Sequence, residues 1–200
     1  LSSTSNVLLD NSTAASPSSV TSGTLTANSG VAEIYSTGTI NIGAVSATFA
    51  TVSNNFGAGV TNVTTGAITT GGAIAITATG SILQTGLLDS NTSVNLATVN
   101  GDIGANSSIT VDTPLLTASA LLGSVDVTST RAGVFSVVGA NNAGNGETFS
   151  VIANNATGSI NVTGTIAATS GTINQIILGG TQGVSVSNTI TASNVGLVTT

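Results

Sequence analysis

The sequence predicts an all-β protein, a parallel β-solenoid (parallel β-helix) wound in coils of about 20 to 25 residues, with loop insertions at some corners. Three observations carry that prediction. Apolar residues alternate with small polar ones instead of recurring at helical spacing. Gly and Asn, which favour turns, punctuate the alternation at short intervals. A Gly-x-Ile/Val marker returns at a spacing close to one coil, since Gly80, Gly101 and Gly123 are 21 and 22 residues apart.

Taken along the chain, the first twenty residues, "LSSTSNVLLDNSTAASPSSV", are Ser-rich and weakly patterned, and they predict an irregular lead-in (1–20) to one solenoid segment spanning 1–200. The marker then appears at Gly38, Gly66, Gly72, Gly80, Gly101, Gly123, Gly158 and Gly171. In "GDIGANSSITVD" the apolar residues Ile103, Ala105, Ile109 and Val111 stand at offsets 0, +2, +6 and +8. The same offsets recur in Ile160, Val162, Ile166 and Ala168, and again in Val184, Val186, Ile190 and Ala192. A helix would need 0, +3, +4 and +7, which at Ile160 puts Thr163 and Gly164 on the apolar face, so strand is the better reading. Ile103, Ile109, Val111, Ile160, Val162, Ile166, Val184, Val186 and Ile190 are therefore the predicted core. Between Val137 and Phe149, "VVGANNAGNGETF" stretches the marker spacing from Gly123 to Gly158 to 35, and predicts a loop (138–148) projecting from a corner. One coil cannot bury its own apolar face, and stacking of coils supplies the core.

Composition narrows the function. The chain is 40% hydrophobic and only 4% charged, against about 25% charged in an average domain. Its mean hydropathy of +0.49 excludes a disordered tail, which pairs low hydrophobicity with high net charge. Seven acids against the single base Arg131 exclude nucleic acid as a partner, because that binding rests on Lys and Arg. No apolar run reaches the roughly 18 to 20 residues of a membrane span. With no Cys and no His there is neither a disulfide framework nor a thiolate or imidazole metal site, and no cofactor is expected.

Reactive chemistry has little to stand on. The acids Asp10, Glu33, Asp89, Asp102, Asp112, Asp126 and Glu147 are dispersed. Asp102 and Asp126, one coil apart, are the pair most suited to stack, either as a calcium site or carboxylate dyad or as solvated corner residues that keep a rod soluble. Arg131 has Asp112 or Asp126 as a partner on the neighbouring coil. Thr-x-Thr pairs at Thr24/Thr26, Thr77/Thr79, Thr128/Thr130 and Thr189/Thr191 have the local spacing of an ice-binding ladder, at irregular separations. A second architecture, two β-sandwich modules that bind carbohydrate or a surface, would place a linker at Val99 to Ser108. It lacks anchors, with no Trp, one Tyr and four Phe in the chain.

The stretch "GDIGANSSITVDTPLLTASALLGSVDVTST", Gly101 to Thr130, resembles the repeats of filamentous-haemagglutinin-like bacterial surface proteins. The resembling elements are Gly-Asp-Ile-Gly, a polar corner, an Ile-x-Val strand, a Leu-x-Ala strand and a following Gly-Ser-Val-x-Val. The resemblance implies a right-handed parallel β-helix, export to the bacterial cell surface or beyond, and a place in a large adhesin or fibre. A structural, non-catalytic segment is the resulting expectation. Its partners would be neighbouring coils of a longer chain, further copies stacked head-to-tail through open coil ends, or a host or cell-surface glycan.

Overall fold

The computed structural model describes residues 1–13, 17–54 and 59–199. Among them every element is a strand, every ladder is parallel, and the strands stack into a solenoid of about 8 turns. Parallel neighbours need a long crossover; here the crossover is the remainder of each coil. In chain order the strands are β1 (Ser2–Ser3), β2 (Val7–Asn11), β3 (Val20–Ser22), β4 (Leu25–Ala27), β5 (Val31–Ser36), β6 (Ile40–Ile42), β7 (Val45–Ala47), β8 (Phe49–Ser53) and β9 (Val63–Thr65). They continue as β10 (Ile68–Thr70), β11 (Ile74–Ala78), β12 (Ile82–Gln84), β13 (Leu88–Ser90), β14 (Ser93–Thr98), β15 (Ile109–Asp112), β16 (Leu115–Ala120) and β17 (Val125–Ser129). The last are β18 (Val134–Val137), β19 (Ala140–Asn141), β20 (Thr148–Ala153), β21 (Ser159–Val162), β22 (Thr165–Ile166), β23 (Ile173–Gly180), β24 (Val184–Val186) and β25 (Ala192–Val198).

Face one is a ten-stranded sheet, β1-β4-β7-β10-β13-β15-β17-β20-β23-β25. Face two has nine strands, β2-β5-β8-β11-β14-β16-β18-β21-β24, and face three has four, β3-β6-β9-β12. Alternation places one side of each strand in the core: Ile68, Leu88 and Val111 stack on face one, Ile74, Val94 and Leu116 on face two, and Ile40, Val63, Ile82 and Ile103 on face three. These side chains form one continuous buried cluster, and each fully buried Val, Leu or Ile contributes about 1.5–3 kcal/mol. Because β13 pairs with β15 and β14 with β16 across Val99 to Ser108, and Ile103 bridges Ile82 and Val125, the described residues form one stack and no pair of sandwich modules.

Of the predicted core residues, Ile103, Ile109, Val111, Ile160, Val162 and Ile166 are fully enclosed, while Val184, Val186 and Ile190 lie partly buried against the core near the last coil. Ala105 departs from its predicted inward position and is exposed in the connection 104–108. Two segments expected to be irregular carry strands. Within the lead-in, β1 and β2 pair in register with β4 and β5, and Ala14, Ala15 and Ser16 lie outside the described residues. Within 138–148, β19 pairs with β22 and Ala143 is buried, so this stretch lies along the coil. Its Gly and Asn read as turn signals, but Asn141 is buried in the wall.

The outline of the coil changes part-way along. In the early coils a corner at Gly23, Gly43, Gly66 or Gly86 separates face three from face one. At β17 that corner disappears: Val125 pairs with Ile103 of face three and Val127 with Ile109 of face one, so a single strand continues both and residues 104–108 are squeezed outward. β20 and β23 repeat the fused strand. Face two gains a corner in exchange. The six-residue β16 is followed by two pieces, β18 opposite Leu115 and Leu116, and Asn142 opposite Ser119, with Gly139 at φ 69 in the bend.

Side-chain amides bridge the ladder at both places. Gln84 Nε2 donates to Thr110 O at 2.8 Å and Gln84 Oε1 accepts the Thr110 N–H at 2.5 Å, so the amide stands in for a strand partner where β13 no longer reaches β15. Asn141 Oδ1 accepts the Ala118 N–H at 2.9 Å, and its Nδ2 donates to Val138 O at 3.0 Å and Thr165 O at 3.1 Å. Buried backbone groups need such partners.

Candidate functional site

Asp102 and Asp126 are the pair the sequence singles out. The marker glycines Gly80, Gly101 and Gly123 stack at the corner between faces two and three, and the residue after each makes a polar ladder. Asn62 Oδ1 accepts the Ser81 N–H at 2.9 Å, Ser81 Oγ accepts the Asp102 N–H at 3.1 Å, and Asp102 Oδ1 accepts the Ser124 N–H at 2.8 Å. Ser124 Oγ then donates to Glu147 Oε2 at 2.8 Å and accepts the Thr148 N–H at 3.2 Å. Asp102 therefore acts on Ser124, as a corner cap. Asp126 is two residues further along β17 and in register with Ser150, so the two carboxylates are not stacked. Among the described residues no three His, Cys, Asp or Glu come together as a metal site.

The acids that do come into register are Asp89 and Asp112, on adjacent strands of face one. Arg131 Nη1 lies 3.6 Å from Asp112 Oδ1, with the two side chains 34% and 41% exposed, a contact worth about 0–1 kcal/mol. The signal for this pair was present in the sequence as two aspartates, each one residue beyond an inward Leu or Val, but only the coil length aligns them. The Thr-x-Thr pairs do not assemble. Thr26 is on face one, Thr77 on face two with Thr79 buried at a corner, and Thr128 on face one in register with Ile152.

At the opposite end of face two, Asp10 is in register with Tyr35, and Glu33 is two residues before it. The Ser12 hydroxyl and backbone N–H donate to Asp10 Oδ1 at 2.6 and 2.9 Å and hold its carboxyl below the usual range. Burial raises the Tyr35 phenol, helped by its 3.2 Å hydrogen bond to Glu33 Oε1 and by the charges of Glu33 and Asp10. A folded value above the unfolded one of about 10 favours the neutral phenol in the fold. That contribution is complete below the unfolded value and is lost as pH rises through the folded one. A near-ultraviolet titration is expected to show tyrosinate forming at higher pH in folded than in urea-unfolded protein. Glu33→Gln should remove part of the difference and leave the part due to burial.

The surface is shallow. A hollow of about 460 Å³ on the outer side of face two is bordered by Val134, Ser159, Asn161, Gln182, Gly183 and Ser185, with no ionisable group. Comparison with protein-family models, with curated proteins and with solved structures finds no match to this chain.

The coil ends stand out from this bland surface. Val195 and Leu197 on β25 are in register with Ile176 and Leu178, both fully buried, and so occupy core positions. They are nevertheless 47% and 55% exposed, because no strand covers β25 among the described residues. At the other end, Ser3, Asn11 and Ser22 face inward opposite Ala27, Ser36 and Ile42, making that rim more polar. No helix of the described residues is long and apolar enough to cross a membrane.

Proposed function

We propose that the chain is a structural, non-catalytic segment of an extracellular bacterial filament or surface adhesin, set end to end with further solenoid coils. The observation that supports this reading most is the uncovered edge of β25, where Val195 and Leu197 hold core positions against β23 and no described strand pairs on the other side. An edge strand with free backbone donors and acceptors above an apolar floor takes another strand readily. The scarcity of titratable side chains, with no three of the searched acids gathered among the described residues, agrees with a mechanical role. The outline also selects the neighbour. β25 is an unbroken seven-residue strand, whereas the first coils turn a corner at Gly23 on that side. A coil of the late, fused type fits β25 directly, and an identical copy stacked head-to-tail must first absorb a corner.

Electron microscopy of the purified protein is the test. Rods with an axial length of about 40 Å per chain, from nine strands about 4.8 Å apart, are expected, with end-to-end doublets that Leu197→Asp suppresses. Isodiametric particles, or hydrolysis of a polysaccharide that depends on Asp89 and Asp112, would overturn the proposal.

A further inference from the structure

We infer that the outer side of face two is a self-association surface, on which a second copy packs across a two-fold axis passing near Leu115. This goes beyond the end-to-end reading and does not depend on it, because it concerns the wall of the rod.

The seven strands β8, β11, β14, β16, β18, β21 and β24 carry no charged residue. The chain's charge lies off these seven strands: Asp89, Asp112, Asp126 and Arg131 belong to the face-one side, Asp102 and Glu147 to a corner ladder, and Asp10 and Glu33 to β2 and β5 at the far end of face two. The outward positions on this wall are mostly small, such as Ala75, Thr77, Asn95, Ala97 and Ser119. Three large apolar side chains rise from it, Phe49 at 47% exposure, Leu115 at 39% and, at the rim of the hollow, Val134 at 57%. Phe49 lies over Gly72 of the next coil, where a side chain would collide with its ring.

The spacing supplies the argument for a second copy. Leu115 is in register with Ser136, Ser136 with Asn161, and Asn161 with Ser185, so one outward row runs from Leu115 into the hollow beside Asn161 and Ser185. In the other direction the same row passes through Ser93 toward Phe49 on β8. Phe49 is three strands before Leu115 and Ser185 three strands after it, about 14 Å in each direction. A two-fold axis at Leu115 therefore places each copy's Phe49 over the other's hollow, with the two Leu115 side chains meeting at the centre. Such an isologous contact is closed and self-complementary. Glu33 and Asp10, one and two strands before Phe49, fall beyond the partner's β24, so like charges are not opposed. The wall measures about 30 by 16 Å, giving about 1,000 Å² of total buried surface, the lower end for a specific interface and the range of a reversible dimer.

Sedimentation velocity over a concentration series tests this, with cross-linking to fix the register. The expected result is a concentration-dependent dimer that persists in high salt and is weakened at least ten-fold by Leu115→Arg, with the thermal melt unchanged because Leu115 points outward. Phe49→Ser should weaken it as well. Since the chain has no Cys, Leu115→Cys is expected to cross-link to itself with a short bis-maleimide, and Phe49→Cys alone is not, because its two copies lie far apart across the axis. A protein that stays monomeric at millimolar concentration overturns the inference. So does a dimer indifferent to Leu115→Arg but abolished by Leu197→Asp, which would assign association to the coil ends, and so does equal cross-linking from Asp89→Cys on face one.

Discussion

Gly101→Val is expected to destabilise the protein by about 3 kcal/mol or more, lowering the midpoint of a thermal melt by about 6–12 °C for a domain of this size. A Cβ at Gly101 would stand 2.5 Å from the Gly80 carbonyl carbon and 2.5 Å from the Ser81 nitrogen. Those are backbone atoms of the preceding coil, so no rotamer change relieves the overlap. Gly123 is stacked on Gly101 in the same way, and the Ser81, Asp102 and Ser124 hydrogen bonds run through the same corner. Pushing the two coils apart would therefore lengthen the polar ladder as well as loosen the packing. Gly71 is the comparison. It has no atom within 4 Å of an added Cβ, and Gly71→Ala is expected to change stability by less than about 0.5 kcal/mol. Circular dichroism melts of the two variants decide the matter, and equal melting would show that the corner glycines are matters of composition and not of contact.

The same glycines explain why the fold was legible in the sequence. Alternation gave strands, but only a spacing of 21 and 22 residues at Gly80, Gly101 and Gly123 says that successive strands lie over one another. Those residues are small because the coils touch there, so the spacing reports a contact. Ile103, Ile109, Ile160 and Ile166 were readable for a similar reason: enclosure leaves them no polar alternative.

The change of outline was not readable. Ile103 to Val111 and Ile160 to Ala168 have identical apolar offsets. In the first, the gap is a loop between faces three and one; in the second, it is the new corner of face two. A corner and a squeezed-out loop look alike in sequence, since both are short runs of Gly, Ala, Asn, Ser and Thr. Gln84 and Asn141 mark the difference, yet nothing in their immediate neighbours separates a polar side chain that completes a ladder from one facing water. The candidate site suffered the same ambiguity. A stacking distance of one coil suited Asp102 with Asp126, but the register puts Ser124 beside Asp102 and Asp112 beside Asp89.

Replacing Asn141 is where the altered outline can be tested most directly. Asn141→Leu keeps the branching at Cγ, with a somewhat bulkier side chain, and removes the acceptor for the Ala118 N–H and the donors to Val138 O and Thr165 O, all in a nearly dry wall. Each buried group left without a partner costs about 1–3 kcal/mol, so a loss of about 3 kcal/mol or more is expected in urea unfolding. Asn141→Asp retains an acceptor for Ala118 and loses both donations, while placing a carboxylate against two carbonyl oxygens; it should be no more stable than the Leu variant at neutral pH and should recover part of the loss in acid, where a protonated carboxyl can donate. Asn155, whose hydrogen bonds lie at the exposed surface, should tolerate Ala at much smaller cost. Amide exchange separates a local from a general effect. If Asn141 holds the corner, the Ala118 amide loses protection in Asn141→Leu while that of Leu88, on a different face and an earlier coil, keeps it. Uniform loss at both amides would instead mean that the coils unfold together and that the corner has no separate stability.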